Sequence, residues 1–266
     1  MYIVKTIEKK YRDEALNYGK IRIGTINYYR KIEDDKRQDS NEGLGNIIWA
    51  GKELSAKDHN RLFTPFDHVR LNDSWTIKND GIQLIGAYPN FNAYAFCFSQ
   101  VENILQIKKS SGRKASHWYF ITDLPEFINI ITKAIRKIGE GLIWKYDAEN
   151  APHWIRNLKV FDVTYKINYS DEPKARIVTE KNLGSFITKQ FYPQDFHQKG
   201  TSFEYEKEVR TVWIFTSIDK AGRVQPLQLP PPDTDWEDLT LGNLPISRWC
   251  KRNNFPLKIA KSKLPD

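Results

Sequence analysis

Residues 202–215 read Ser-Phe-Glu-Tyr-Glu-Lys-Glu-Val-Arg-Thr-Val-Trp-Ile-Phe. Successive side chains of an extended chain point to opposite faces. Glu204, Glu206, Glu208 and Arg210 then share one face, and Phe203, Tyr205, Val209 and Thr211 take the other. The run from Val212 to Phe215 is β-branched and aromatic, the composition of a strand entering a core. Carboxylates ranked along one buried strand repel one another unless cations, donors or a polar ligand stand opposite. The stretch therefore predicts a late strand that carries a site. The competing reading is an edge strand whose glutamates face water, with Lys207 and Arg210 as neutralising charges, a common guard against edge-to-edge pairing.

A chain of 266 residues with 40% hydrophobic and 13% aromatic side chains has ample material for a packed core, which excludes a disordered chain. Lys and Arg number 41 against 33 Asp and Glu, and the formal charge of +8 tilts the choice of partner towards a polyanion such as RNA, DNA or a phosphorylated cofactor. The two cysteines, Cys97 and Cys250, stand in no metal-ligand spacing, and the five histidines form no His-x-x-x-His pair, so no zinc site is expected. No apolar run approaches the roughly 20 residues of a membrane helix. Residues 1–11 lack the basic-then-apolar layout of a signal peptide. The expectation is a soluble cytoplasmic protein with no membrane partner.

From the central stretch outward, short strands are predicted at residues 2–7, 21–25, 47–49, 82–86, 93–99, 117–121 and 158–167. Residues 8–18 have the composition of a helix ended by Gly19. Asp123 is a predicted N-cap with Pro125 in the first turn, and apolar residues follow at helical spacing up to Gly139. Further helices are expected at 183–190 and 246–252, with closing strands at 239–242 and 257–260. The proline-rich residues 226–235 form a stiff loop. Residues 27–45 interleave Tyr28, Tyr29, Arg30, Glu33, Arg37, Asp39 and Glu42, a mixture suited either to gripping a polar, ring-bearing ligand or to a solvated loop. Ser99 ends its strand next to polar Gln100, placed either to reach a pocket or to bond the next turn. Cys97 reads as a small core residue. With no repeat in the sequence, one α+β domain over residues 1–266 is expected.

Three blocks resemble a poorly described bacterial family of cytosolic domains: residues 24–43, a glycine and strand running into an acidic loop; Cys-Phe-Ser at 97–99; and Tyr-Glu-x-Glu-x-Arg at 205–210, followed by Leu-Gly, helix and strand over 241–260. The family's Asn-Asp-Pro-x-Glu loop is replaced here by Tyr-Tyr-Arg-Lys-Ile-Glu-Asp. The order of elements is also similar to the ADP-ribosyltransferase superfamily, in which a first strand supplies Arg or His, a later strand ends in Ser or Tyr, and a late strand carries Glu. Lys5, Ser99 and the glutamates Glu204, Glu206 and Glu208 occupy those places, with Lys5 in place of Arg or His. The resemblance implies a split β-sandwich with peripheral helices. Its chemistry would be NAD-dependent transfer of ADP-ribose to a macromolecular acceptor, nucleic acid being one candidate, in a toxin or phage-defence effector with an antitoxin partner.

Those residue types suit that chemistry. Breaking the glycosidic bond develops positive charge on the ribose, which a fixed carboxylate stabilises, and a second carboxylate can take the proton of the nucleophile. Arg30, Arg37 or Arg210 would hold the pyrophosphate, and Tyr28 or Tyr29 would stack on nicotinamide. Two alternatives compete. One is a non-catalytic nucleic-acid-binding domain using residues 108–114, Lys133, Arg136, Lys137, Tyr28, Tyr29 and Trp118. The other is a Mg²⁺-dependent nuclease or hydrolase with Glu204, Glu206 and Glu208 as ligands.

Overall fold

The computed structural model describes residues 1–31, 45–49, 69–71, 76–77, 83–89, 92–103, 106–107, 117–170, 175–178, 198–218, 224–227, 229–231 and 233–247. The order of elements is β1 (Tyr2–Ile7), α1 (Lys9–Tyr18), β2 (Lys20–Thr25), α2 (Ile26–Lys31), β3 (Gly45–Trp49), β4 (Val69–Leu71), β5 (Thr76–Ile77), β6 (Gln83–Pro89), β7 (Tyr94–Val101), β8 (His117–Ile121), α3 (Leu124–Tyr146), α4 (Ala151–Asn157), β9 (Lys159–Lys166), β10 (Asn168–Tyr169), β11 (Ala175–Val178), β12 (Gln198–Lys199), a 3-10 turn (Thr201–Glu206), β13 (Glu208–Ile218), β14 (Val224–Pro226) and β15 (Trp236–Thr240). The architecture is mixed α+β around a curled antiparallel sheet. The helices predicted at 183–190 and 246–252 and the strand at 257–260 lie wholly or largely outside the described residues.

β13 is the strand that the central stretch predicts, with a corrected start. Residues 201–206 coil into the 3-10 turn, Lys207 adopts the left-handed conformation (φ 46°), and the extended chain begins at Glu208. The alternation across 202–208 is therefore not a strand face, and Glu204 is separated from Glu208 by a change of backbone direction. Once extended, the strand is buried on both faces from Glu208 to Ser217. β7 lies along one side of β13 and β9 along the other, both antiparallel. β1 then pairs with β7 and β8, and β14 folds back on the end of β13.

The other arm of the sheet leaves β7 near its start. β2 pairs with β7 at Gly24↔Ala95 and Thr25↔Tyr94, and with β15 along Lys20–Gly24. β7 thus has β2 beside residues 94–95 and β1 beside residues 99–101. A separate five-stranded sheet joins β11, β3, β6, β4 and β5.

One face of the main sheet packs on α3. Asp123 accepts from the Glu126 amide at 3.0 Å, which caps the helix, and Phe127, Ile131 and Ile135 follow at helical spacing into the core. Val209, Trp213 and Phe215 of β13 and Phe96 and Phe98 of β7 meet them. Each fully buried side chain of this kind contributes about 1.5–3 kcal/mol. The helix does not stop at Gly139 as predicted but continues to Tyr146. A Cβ on Gly139 would lie 2.3 Å from a Phe215 ring carbon, so this glycine is a point of close approach and not a terminator. No described helix is long and apolar enough to cross a membrane.

Candidate functional site

The topology carries three distant parts of the chain to one line. Glu208 of β13 lies directly opposite Ser99 of β7, and Ser99 lies opposite Val4 of β1, with Lys5 next along that strand. Arg210 lies opposite Cys97 in the same register, so Glu208, Arg210, Ser99 and Cys97 stand on one face of two adjacent strands. Lys5 occupies the interval where β7 passes from β2 to β1. Its ammonium lies 4.5 Å from the centre of the Phe96 ring and donates to the Cys97 carbonyl at 2.6 Å.

Glu208 and Arg210 are both buried, which requires partners. Arg210 donates to Glu208 Oε1 from Nε at 2.9 Å and from Nη2 at 2.8 Å. The other carboxylate oxygen, Oε2, meets Lys199 Nζ at 2.6 Å. The same ammonium bridges to Glu206 Oε2 at 2.9 Å, so one lysine serves two carboxylates. Lys199 is placed by β12, which runs parallel to β10, and its carbonyl accepts from Ser170 N at 2.9 Å. From β10, Tyr169 uses its phenol oxygen to accept from the Glu208 amide at 2.8 Å. With both acids ionised, the two carboxylates and two cations sum to zero.

The shifts of proton affinity follow from this packing. Burial pushes the Glu206 carboxyl up to about 7; Lys199 opposes that push and Glu208 adds to it. Burial works against the charge of Lys199, but Glu208 and Glu206 outweigh it and hold the ammonium well above its ordinary value. Burial, then the negative charge of Glu208, raises the Cys97 thiol, which hydrogen-bonds Glu208. Tyr29 hydrogen-bonds Cys97 in turn and is raised first by burial. Tyr169 is raised chiefly by burial as well.

Of the residues that the sequence singles out, Glu206, Glu208, Arg210, Ser99, Lys5 and Tyr29 are gathered here. Tyr28 stands one step away, edge-on to Tyr29 at 5.6 Å and to Trp236 at 5.3 Å. Glu204 does not join them: its side chain is 61% exposed and pairs with Lys207 at 3.2 Å. The backbone of Arg30 belongs to α2, but its side chain, like the whole of Arg37, lies outside the described residues. Lys199 and Tyr169 are additions. The only sequence signal for Lys199 is indirect, in that buried carboxylates demand a cation without saying which one. Cys97 is not simply core filler, because it is half-buried and its position two residues before Ser99 puts it on the acid face.

The pair of acids is chemically asymmetric. Glu208 is held by two cations at fixed geometry, while Glu206, one-fifth exposed, has a proton affinity near neutrality. Two carboxyls whose surroundings separate them in this way are suited to different roles, one as a fixed negative charge and the other as a group that exchanges a proton. No protein-family model matches the chain, and neither does any curated protein or solved structure.

Proposed function

We propose that the chain is an NAD-dependent ADP-ribosyltransferase of the cytoplasm. The observation that supports this most is that Glu208 lies directly opposite Ser99 on adjacent strands, with Glu206 sharing its ammonium. In this reading the bond between the ribose anomeric carbon and the nicotinamide nitrogen breaks, and nicotinamide leaves with the bonding pair. The acceptor's lone pair forms the new bond to the anomeric carbon, and its proton passes to the Glu206 carboxylate. Glu208 supplies negative charge where the ribose becomes positive, and Ser99 orients the sugar. Tyr29 lines the same face. The acceptor is macromolecular, and the +8 charge favours nucleic acid. The resemblance further suggests a toxin or antiviral effector that an antitoxin protein restrains.

The test is nicotinamide release from NAD, with RNA, DNA or lysate as acceptor. Glu206→Gln and Glu208→Gln are each expected to slow release by about 10²–10³-fold, with folding checked by circular dichroism. Release that persists in both variants removes the assigned roles, and a wild-type protein that consumes no NAD under any of these conditions removes the reading.

One observation favours a second reading. Glu208 is fully paired within its own chain, as a buried ion cluster would be that specifies the fold and does no chemistry. The domain would then be a non-catalytic binder. The aromatic part of the nucleic-acid surface expected from the sequence is reduced, however: Trp118 is 7% exposed and Tyr29 turns inward to Cys97. Glu204, Glu206 and Glu208 do not converge on a point, which leaves the Mg²⁺ alternative without its three ligands.

A further inference from the structure

The 3-10 turn Thr201–Glu206 is tied down at both flanks by backbone bonds, Ser170 N to Lys199 O and Gln100 N to Lys207 O, each 2.9 Å. Between those ties it faces outward with Thr201, Ser202, Glu204 and Tyr205 exposed. Two of its inward side chains meet one group: Lys199 Nζ bridges to Glu206 at 2.9 Å and sits 5.2 Å from the centre of the Phe203 ring. Glu208 has Arg210 as a second cation, whereas among the described residues Lys199 is the cation that holds Glu206. Directly after Glu206 comes Lys207 in the left-handed region, a conformation that costs a non-glycine residue and persists only while its surroundings hold it.

We propose that this turn is a proton-controlled latch: the charge on Glu206, which shares one buried ammonium with Glu208, decides whether the turn lies closed against the Ser99–Glu208 pair or lifts away. The charged and titratable groups packed around it are Lys199 of β12, Glu208 and Arg210 of β13, Tyr169 of β10 and Cys97 of β7, with Lys5 of β1 beyond; Glu204, on the turn itself, faces away to Lys207. Ionising Glu206 sets a second negative charge near Glu208 where little water reaches. Swinging the carboxylate into solvent relieves both penalties. The upward shift of Glu206 to about 7 agrees in sign, because a carboxyl that holds its proton more tightly closed than open favours the closed state at low pH. Closure is complete below the ordinary glutamate value and weakens as pH rises towards 7, levelling off above it.

The latch does not depend on NAD chemistry, so it is tested on the protein without substrate. Amide hydrogen exchange of peptides covering residues 198–207 is followed from pH 4.5 to 8.5 and corrected for intrinsic rates. Protection is expected to fall by up to tenfold per pH unit between about 4.5 and 7, then level off, and to be flat in Glu206→Gln. Lys199→Met removes the ammonium that opposes the upward push on Glu206 and should carry the fall in protection to higher pH than in wild type; if that variant does not fold, Glu206→Gln decides alone. A flat wild-type profile, or an unchanged slope in Glu206→Gln, overturns the latch.

Discussion

Arg210 and Glu208 stand two positions apart on one strand face with almost no access to water, and each makes the other tolerable. Breaking such a pair from one side leaves an uncompensated charge, whereas removing both partners leaves only a packing change. Arg210→Met is therefore expected to cost about 3–5 kcal/mol of unfolding free energy by denaturant titration. The double variant Arg210→Met, Glu208→Met should recover part of that loss, because Lys199 keeps Glu206 as its partner. Were the double variant as unstable as the sum of the two singles, the coupling argued here would be absent. At this scale the sequence was half legible. The Glu-x-Glu-x-Arg pattern put Glu208 and Arg210 on one strand face, where the structure has them, but it also put Glu206 there, which lies on the preceding turn. It could not name Lys199, whose short strand follows a segment with no periodicity, or Tyr169, whose role is a hydrogen bond to a backbone amide.

Among the elements, strands were read better than their ends. The strand at 117–121 has the predicted bounds, and those at residues 2–7 and 94–101 follow β-branched and aromatic runs closely. The turn at 201–206 escaped notice because alternation of charged and aromatic residues fits a 3-10 coil as well as a strand over six positions. The glycines of α3 show why local punctuation misleads. Gly139 reads as a stop, yet it is where the helix backbone meets the Phe215 ring, and Gly141 two residues on has nothing within 4 Å of its absent Cβ. Opposite outcomes are expected for one chemical change. Gly139→Ala should lower stability by about 1–3 kcal/mol through overpacking, despite the better helix propensity of alanine. Gly141→Ala should raise it by up to about 1 kcal/mol. Thermal midpoints of the two variants check this directly, and a gain for both would mean that Phe215 moves aside freely.

At the level of the whole molecule, β1 sits inside the main sheet between β7 and β8, and its Ile3 and Val4 are fully buried. Val4→Asp places an unpaired carboxylate there and is expected to abolish cooperative unfolding in a near-ultraviolet circular dichroism melt. Tyr18→Ser, at a site 68% exposed, should leave the melt within about 0.5 kcal/mol of wild type. The α+β class was legible from strands spread along the chain with few helices among them. The pairing was not, because which strand neighbours which depends on contacts between residues too far apart for periodicity to register.

That pairing bears on how the protein is made. β2 has its outer partner in β15, joining residue 24 to residue 236, and β1 waits for residues 99–121. At roughly 5–20 residues per second, a ribosome needs on the order of ten to fifty seconds to reach the last of these strands. The edges of β1 have no permanent neighbours until residue 121 is made, and the outer edge of β2 has none until β15 follows, so both are open to chaperones in the meantime. An activity that requires residues 5, 99 and 208 together is thus withheld from the nascent chain until most of it has been synthesised.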